Sequence, residues 1–206
     1  MSGWKLPENS PKISEEITKM RAEYRKNGIP VILDESLNLL LLTAKIKSPE
    51  KILEIGTATG MSGACLLNEI QGAKLYTIEF EEDRYREAKE NFKKFGVFGR
   101  VKQYLGDAGE IIRFLDGKFD FIFLDGPKAR YYDYLPDITR LLADSGVLFA
   151  DNVLFRGLVE SEKPPHGDMT IVRNMRAFIT ELCENKNFIT TVLRVGDGIL
   201  ISQKRG

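Results

Sequence analysis

The chain has 206 residues, enough for one domain with a sizeable core, and its 30 Lys+Arg balance its 30 Asp+Glu at a pI of about 6.6. That balance argues against a protein that wraps nucleic acid mainly by charge. No apolar run approaches the roughly 18 residues of a membrane span, and the first residues, MSGWKLPENS, lack the apolar stretch of a signal peptide. The expectation is a soluble cytoplasmic protein, with Cys65 and Cys183 as reduced core residues of apolar helical segments.

Ile13, Ile17, Met20 and Tyr24 recur at helical spacing behind Ser10-Pro11, which reads as a cap and a first-turn proline. Asn27-Gly28-Ile29-Pro30 ends that helix. Asp34 is expected to cap a second one carrying Leu37, Leu40, Leu41 and Ala44. These helices, within 1–48, read as an addition to a core over 49–206. From Lys51 the chain falls into a β-α rhythm, with strands expected at 51–55, 74–79, 101–105, 119–124 and 146–150. The clearest helix between them is 82–95, with Tyr85, Ala88, Phe92 and Phe95 on one face and Gly96 as its stop. This alternation predicts an α/β fold with a mainly parallel sheet and helices on both faces. The stretch 154–168 has a Pro-Pro pair and poor periodicity. It reads as a long loop over the face of Asp151, in the manner of a lid. After a helix over 169–185, the runs 188–195 and 199–202 flank Gly196-Asp197-Gly198, so the sheet is expected to end in an antiparallel hairpin.

Two strings carry the chemistry. Asp125-Gly126-Pro127-Lys128 and Asp151-Asn152 each follow an apolar, strand-like run. Carboxylates and an amide carbonyl are hard oxygen ligands that suit Mg²⁺, Mn²⁺ or Ca²⁺ better than Zn²⁺. The carboxyl ends of strands are where open α/β sheets bind ligands. Lys128 is placed to act as a base beside such a metal. The plainer alternatives are a solvated lysine and two helix-capping aspartates.

The segment from Glu54 to Gly60 (EIGTATG) follows the first strand and opens a helix, whose free N–H groups can receive an anion. Glu79 ends the second strand, 19 residues past Gly60, where an acid can take the two hydroxyls of a ribose. The loop is not the dinucleotide fingerprint, because Ala58 and Met61 stand where its second and third glycines would be. No Gly-Lys-Ser/Thr follows, so a Walker loop is excluded.

The phrases ILEIGTATGMS, TIEF, GDA, FLDGPK and DNV, in that order, resemble the metal- and S-adenosylmethionine-dependent O-methyltransferases, the family of catechol and caffeoyl-CoA O-methyltransferases. The likeness spans about residues 30–206. The phrases DNVLFRGLV and TIVRNMRAF are most similar to bacterial tRNA 5-hydroxyuridine methyltransferases. The resemblance implies a seven-stranded Rossmann-like class I methyltransferase fold, usually a homodimer. It implies Gly56 and Gly60 along the methionine moiety of S-adenosylmethionine, Ser62 at its carboxylate, Glu79 on the ribose, and Asp107 and Ala108 beside the adenine. Glu54 and Asp125 are counted with these cofactor-binding residues. Asp125, Asp151 and Asn152 would hold the metal, usually Mg²⁺, and Lys128 would be the catalytic base. Two departures stand out. No glutamate after Asn152 matches the one that grips a catechol's second hydroxyl, and Pro127 replaces an aromatic wall residue of the catechol enzyme.

Tyr131, Tyr132 and Tyr134 read as either packing or a wall for a flat ring. Arg130, Arg156, Arg173 and Arg176 are candidates for phosphate contacts, although residues 128–176 hold seven basic and seven acidic side chains. His166 is expected on a surface loop. The leading reading is an O-methyltransferase acting on 5-hydroxyuridine in tRNA. The alternatives are an enzyme for a small catechol-like or acyl-CoA-linked phenol, and an idle S-adenosylmethionine-binding module.

Overall fold

The computed structural model describes residues 11–206, so the cap expected at Ser10 lies outside the described residues. The first helix, α1 (Glu15–Lys26), is capped by Ser14, whose Oγ accepts the Ile17 N–H at 3.3 Å. Pro11 therefore precedes the helix instead of opening it. Ser14 is followed by two first-turn acids, Glu15 and Glu16, which suit the positive end of a helix. The second helix, α2 (Asp34–Lys47), buries Leu37, Leu40, Leu41 and Ala44 as their spacing requires. Asp34 does not cap it. Leu33 holds that position, and the Asp34 carboxylate turns to Arg21 at 2.7 Å and Arg25 at 2.5 Å. Two guanidinium groups outcompete one backbone amide.

The elements that follow are β1 (Lys51–Ile55), α3 (Met61–Glu69), β2 (Lys74–Glu79), α4 (Glu82–Lys94), β3 (Val101–Leu105), α5 (Ala108–Phe114) and β4 (Phe119–Leu124). Then come α6 (Tyr131–Leu141), β5 (Leu142–Asp151), α7 (Met169–Glu184), β6 (Phe188–Leu193) and β7 (Ile199–Lys204). They build one seven-stranded sheet of order β3-β2-β1-β4-β5-β7-β6. The first five strands run parallel, and β7 lies antiparallel between β5 and β6. The strand β5 starts four residues earlier than expected, its extra length pairing with β4 across an irregularity at Phe119–Phe121.

Alternate residues of each strand enter two cores. Leu53, Ile55, Ile122 and Leu124 pack towards α5, α6 and α7, while Ile52, Phe121, Phe123 and Phe149 pack towards α1 to α4. Burial on both faces explains why the central strands read as unbroken apolar runs. The N-terminal helices share the second core through Ile17, Leu37 and Leu40, all fully buried. Each such side chain contributes about 1.5–3 kcal/mol. Cys65 is buried but Cys183 is exposed, contrary to expectation. On α7 the buried stripe is Val172, Met175, Phe178 and Leu182, and Cys183 lies one step round the helix from it.

The chain order reverses between β1 and β4, which are neighbours. That crevice lies beyond the carboxyl ends of the strands, where both motif loops emerge. The segment 154–168 does not cover it. Instead it is strapped to the β6–β7 hairpin, with the N–H groups of Leu154 and Arg156 donating to Asp197, and to α7, with Arg176 donating to the carbonyls of Val159 and Ser161. Among the described residues, no helix is long and apolar enough to cross a membrane.

Candidate functional site

The β1–α3 loop needs its glycines for two reasons. Gly56 and Gly60 have φ of 99° and 78°, and a side chain at 56 would collide with the Asp125 carbonyl. One at 60 would come within 2.9 Å of the Phe92 ring. Ala58 also has positive φ, 45°, which costs an L-residue about 1–2 kcal/mol. Its N–H donates to Glu79 Oε2 at 2.7 Å, and a bond to a charged group offsets that cost at about 1.5–3 kcal/mol. The other Glu79 oxygen accepts the N–H groups of Phe80 and Glu81, each at 3.0 Å. The carboxylate is thus fixed in direction and keeps one lone pair, on Oε2, for a ligand.

Glu54 lies beneath this loop and is fully enclosed. Ser62 and Thr77 each donate a hydroxyl proton to it at 2.6 Å. Burial pushes its carboxyl up to about 7, against those two donors and with help from the charges of Asp125 and Glu79. Glu54 lines neither cavity described below. It reaches the site through Ser62.

A first cavity of about 570 Å³ opens over the ends of β1, β2 and β3. Glu79, Phe80, Asp107, Ala108, Arg130 and Tyr134 are among its lining residues. Asp107 caps α5 by accepting the Glu110 N–H at 3.1 Å, which fixes the acid at the cavity edge. A second cavity of about 480 Å³ adjoins it, with Gly56, Ala58, Arg84 and Asp125 lining both. Its polar floor is Asp125, Lys128, Asp151 and Asn152, together with Thr59 of the loop and Ser62 of α3. Its apolar wall is Pro30–Leu33, between the two N-terminal helices. Arg21 ties that wall in place by donating to the Ile32 carbonyl at 2.8 Å.

The four floor residues therefore meet in one place. Lys128 Nζ lies 2.6 Å from Asp125 Oδ1. Burial opposes the Lys128 charge, but Tyr131 and Asp125 beside it outweigh burial and hold its pKa above the ordinary lysine value. Asp125 is close enough to act as its counter-ion, so the lysine is held charged. Asp151 is buried, and desolvation followed by the charge of Asp125 pushes its carboxyl up to about 7. Asn152 has φ of 59°, a conformation asparagine tolerates better than most residues, and its N–H donates to Asp151 Oδ1 at 2.8 Å. Two carboxylates and an amide carbonyl around one cavity match the donor set of a hard divalent cation. Asp151, buried with a like charge near it, gains from such a cation. Among the described residues, no group of three or more His, Cys, Asp or Glu is placed to hold a metal ion, so the set rests on two acids and an amide.

Other candidates lie elsewhere. Tyr131 is fully buried, and its hydroxyl sits 3.0 Å from the carbonyls of Leu124 and Asp151, stapling the ends of β4 and β5. Tyr134 borders the first cavity and Tyr132 lines a separate groove, so the three tyrosines form no common platform. Arg130 pairs with Asp133, Arg156 folds over Phe155, and Arg173 lines a groove with Arg176 away from the floor residues. His166 is exposed and lines neither cavity. The Pro30–Leu33 wall and Arg84 escaped the sequence reading. An apolar run after Pro30 was visible there, but nothing local says what it will face.

A family described as O-methyltransferase matches residues 7–205. A Mycobacterium bovis protein provisionally named an O-methyltransferase is 27% identical over 202 residues, covering 96% of this chain and 88% of its own. The Streptomyces achromogenes O-methyltransferase TomG, involved in tomaymycin synthesis and solved with S-adenosylmethionine, superposes with a TM-score of 0.83 at 26% identity, over 95% of this chain and 92% of its own. A Staphylococcus aureus protein provisionally assigned as a caffeoyl-CoA O-methyltransferase gives 0.85 at 27% identity, over 93% of each chain. The chain belongs to the O-methyltransferase family, enzymes that move a methyl group from S-adenosylmethionine to an oxygen.

Proposed function

We propose that this enzyme methylates an acidic ring hydroxyl and that it depends on a divalent cation held by Asp125, Asp151 and Asn152. The observation that carries this reading is the convergence of those three residues and Lys128 on one cavity that adjoins the Glu79 cavity. In this reading Glu79 receives the ribose hydroxyls, Asp107 and Ala108 border the adenine, and Gly56, Gly60 and Ser62 flank the methionine part. Glu54 and Thr77 brace Ser62 from below.

When bound, S-adenosylmethionine supplies an activated methyl group, and a divalent cation acidifies a hydroxyl by several pKa units. The chain supplies the rest. Lys128 can accept the hydroxyl proton at Nζ only as the neutral amine, so it must first leave its pairing with Asp125 and release its own extra proton to solvent. The rigid β1–α3 loop and the Pro30–Leu33 wall hold the two reactants in contact, and orientation of this kind supplies up to about 7–11 kcal/mol.

A small phenolic or enolic acceptor fits a cavity of about 480 Å³ and agrees with the relatives above. The second reading, 5-hydroxyuridine in tRNA, is favoured by Arg156 and Arg173, which are exposed on and beyond the loop after Asn152 without a carboxylate partner among the described residues. Methyl transfer from labelled S-adenosylmethionine to a phenol panel and to hydroxyuridine-containing tRNA, each with Mg²⁺ and with chelator, separates the two. Transfer to neither, or undiminished transfer in chelator, overturns the corresponding part of the proposal.

A further inference from the structure

Three cations line the two cavities: Arg84, Lys128 and Arg130. Lys128 is engaged by Asp125 and Arg130 by Asp133. The Arg84 guanidinium, on the first turn of α4, has no ion pair or hydrogen bond among the described residues, and of the three it alone lines both cavities. An exposed guanidinium with five donors at a cavity mouth is built to take an oxyanion.

The cofactor is a poor source for that oxyanion. The first cavity is edged by Glu79, Glu81 and Asp107, acids that suit hydroxyls and amines. The one carboxylate of S-adenosylmethionine already has the open N–H groups in the first turn of α3, next to Ser62. The second cavity remains. An acceptor that lays its ring on Pro30–Leu33 and points its hydroxyl at Asp125 and Asp151 has one further charged side chain left to meet there, Arg84.

We propose that Arg84 selects acceptors that carry, besides the hydroxylated ring, an oxyanion: a phosphate or a carboxylate. This rests on the acceptor cavity assigned above and narrows the substrate class: a neutral phenol is a poor substrate, and an acidic phenol or a nucleotide is a good one. The two sources share their chemistry and differ in what carries the charge.

Calorimetry on the full chain, saturated with S-adenosylhomocysteine and Mg²⁺, tests the idea with two probe pairs: uridine 5′-monophosphate against uridine, and 3,4-dihydroxybenzoate against 3,4-dihydroxybenzamide. The expected result is about tenfold tighter binding of the anionic member in at least one pair. Arg84→Met should abolish that preference, Arg84→Lys should keep most of it, and S-adenosylhomocysteine affinity should stay within about twofold in both variants. The pair that shows the preference identifies the source of the charge. No preference in either pair, a preference that survives Arg84→Met, or equal loss of S-adenosylhomocysteine affinity in Arg84→Met overturns the proposal. If the wild type binds no S-adenosylhomocysteine, the cofactor reading fails separately, and the same pairs on the unloaded chain still decide Arg84.

Discussion

Lys128 Nζ and Asp125 Oδ1 sit 2.6 Å apart, so the proposed base is ion-paired with one of the proposed metal ligands. The two lie at opposite ends of one turn, three residues apart, and Lys128 follows Pro127 directly. This pairing keeps the lysine charged until Asp125 is engaged elsewhere. Lys128→Ala should lower turnover by roughly 10²–10⁴-fold with little change in S-adenosylhomocysteine affinity. Lys128→Arg should fail as well, because a guanidinium does not give up its proton in this range. Single-turnover methyl transfer with calorimetry checks both, and an active Lys128→Arg enzyme excludes the base role.

Asp151 is the buried member of the floor, and it faces a second carboxylate. Chelation should abolish turnover, with Mg²⁺ or Mn²⁺ restoring it. Asp151→Ala should not be rescued at any practical metal concentration. Activity measured against free metal, in wild type and variant, decides this. A variant with wild-type metal dependence rules Asp151 out as a ligand.

Tyr131 holds the ends of β4 and β5 together through two carbonyls, on the strands that deliver Asp125 and Asp151. Tyr131→Phe keeps the ring and removes the only proton shared between those buried carbonyls. It should cost about 1–3 kcal/mol of stability, the range for stranding a buried polar group. Urea denaturation at one fixed pH measures it, and an unchanged midpoint means that the staple carries no energy.

The strands and the closing hairpin were legible because each is written locally, in apolar runs of strand length and in Gly196-Asp197-Gly198, and the mainly parallel sheet followed from the β-α alternation, but the strand order was not legible. The positions of Asp125, Asp151 and Asn152 followed, since a residue just after a strand must emerge at its carboxyl end. What the sequence hid was relational. Asp34 looked like a cap until Arg21 and Arg25 came to it from another helix. The stretch 154–168 looked like a lid because nothing near it in sequence announces that Asp197 will strap it down. Tyr131 read as one of three similar tyrosines, and only the meeting of β4 with β5 separates its role from that of Tyr132.

Glu79 directs one oxygen at Ala58 and the other at the two residues after itself, which leaves the carboxylate poised over the first cavity. Glu79→Ala should weaken S-adenosylhomocysteine binding by about 1–3 kcal/mol. Because the substitution also frees the Ala58 N–H, Glu79→Gln serves as the companion. It keeps acceptor capacity for the loop and should lose less. Binding of both variants at wild-type affinity would remove Glu79 from the cofactor site.

Glu54 gives the fold a pH dependence whose sign can be worked out. In the unfolded chain its pKa is that of a free glutamate, about 4.3. In the fold, burial beneath the β1–α3 loop raises it to about 7. Between these values the native state holds a proton that the unfolded state has released, so stability falls as pH rises. The contribution is fully present below about 4.3 and is lost as pH climbs through about 7. At about 1.4 kcal/mol per pKa unit, the loss amounts to a few kcal/mol. Asp151 has the same sign, so the slope of the wild type alone does not isolate Glu54. Glu54→Gln removes the ionisation while keeping an acceptor for Ser62 or Thr77. Urea midpoints at pH 5 and pH 8 should therefore differ less in Glu54→Gln than in wild type, with the variant gaining on wild type as pH rises. Equal slopes in the two proteins would mean that Glu54 ionises in the fold as it does in water, and that the loop above it is looser than its hydrogen bonds to Ser62 and Thr77 imply.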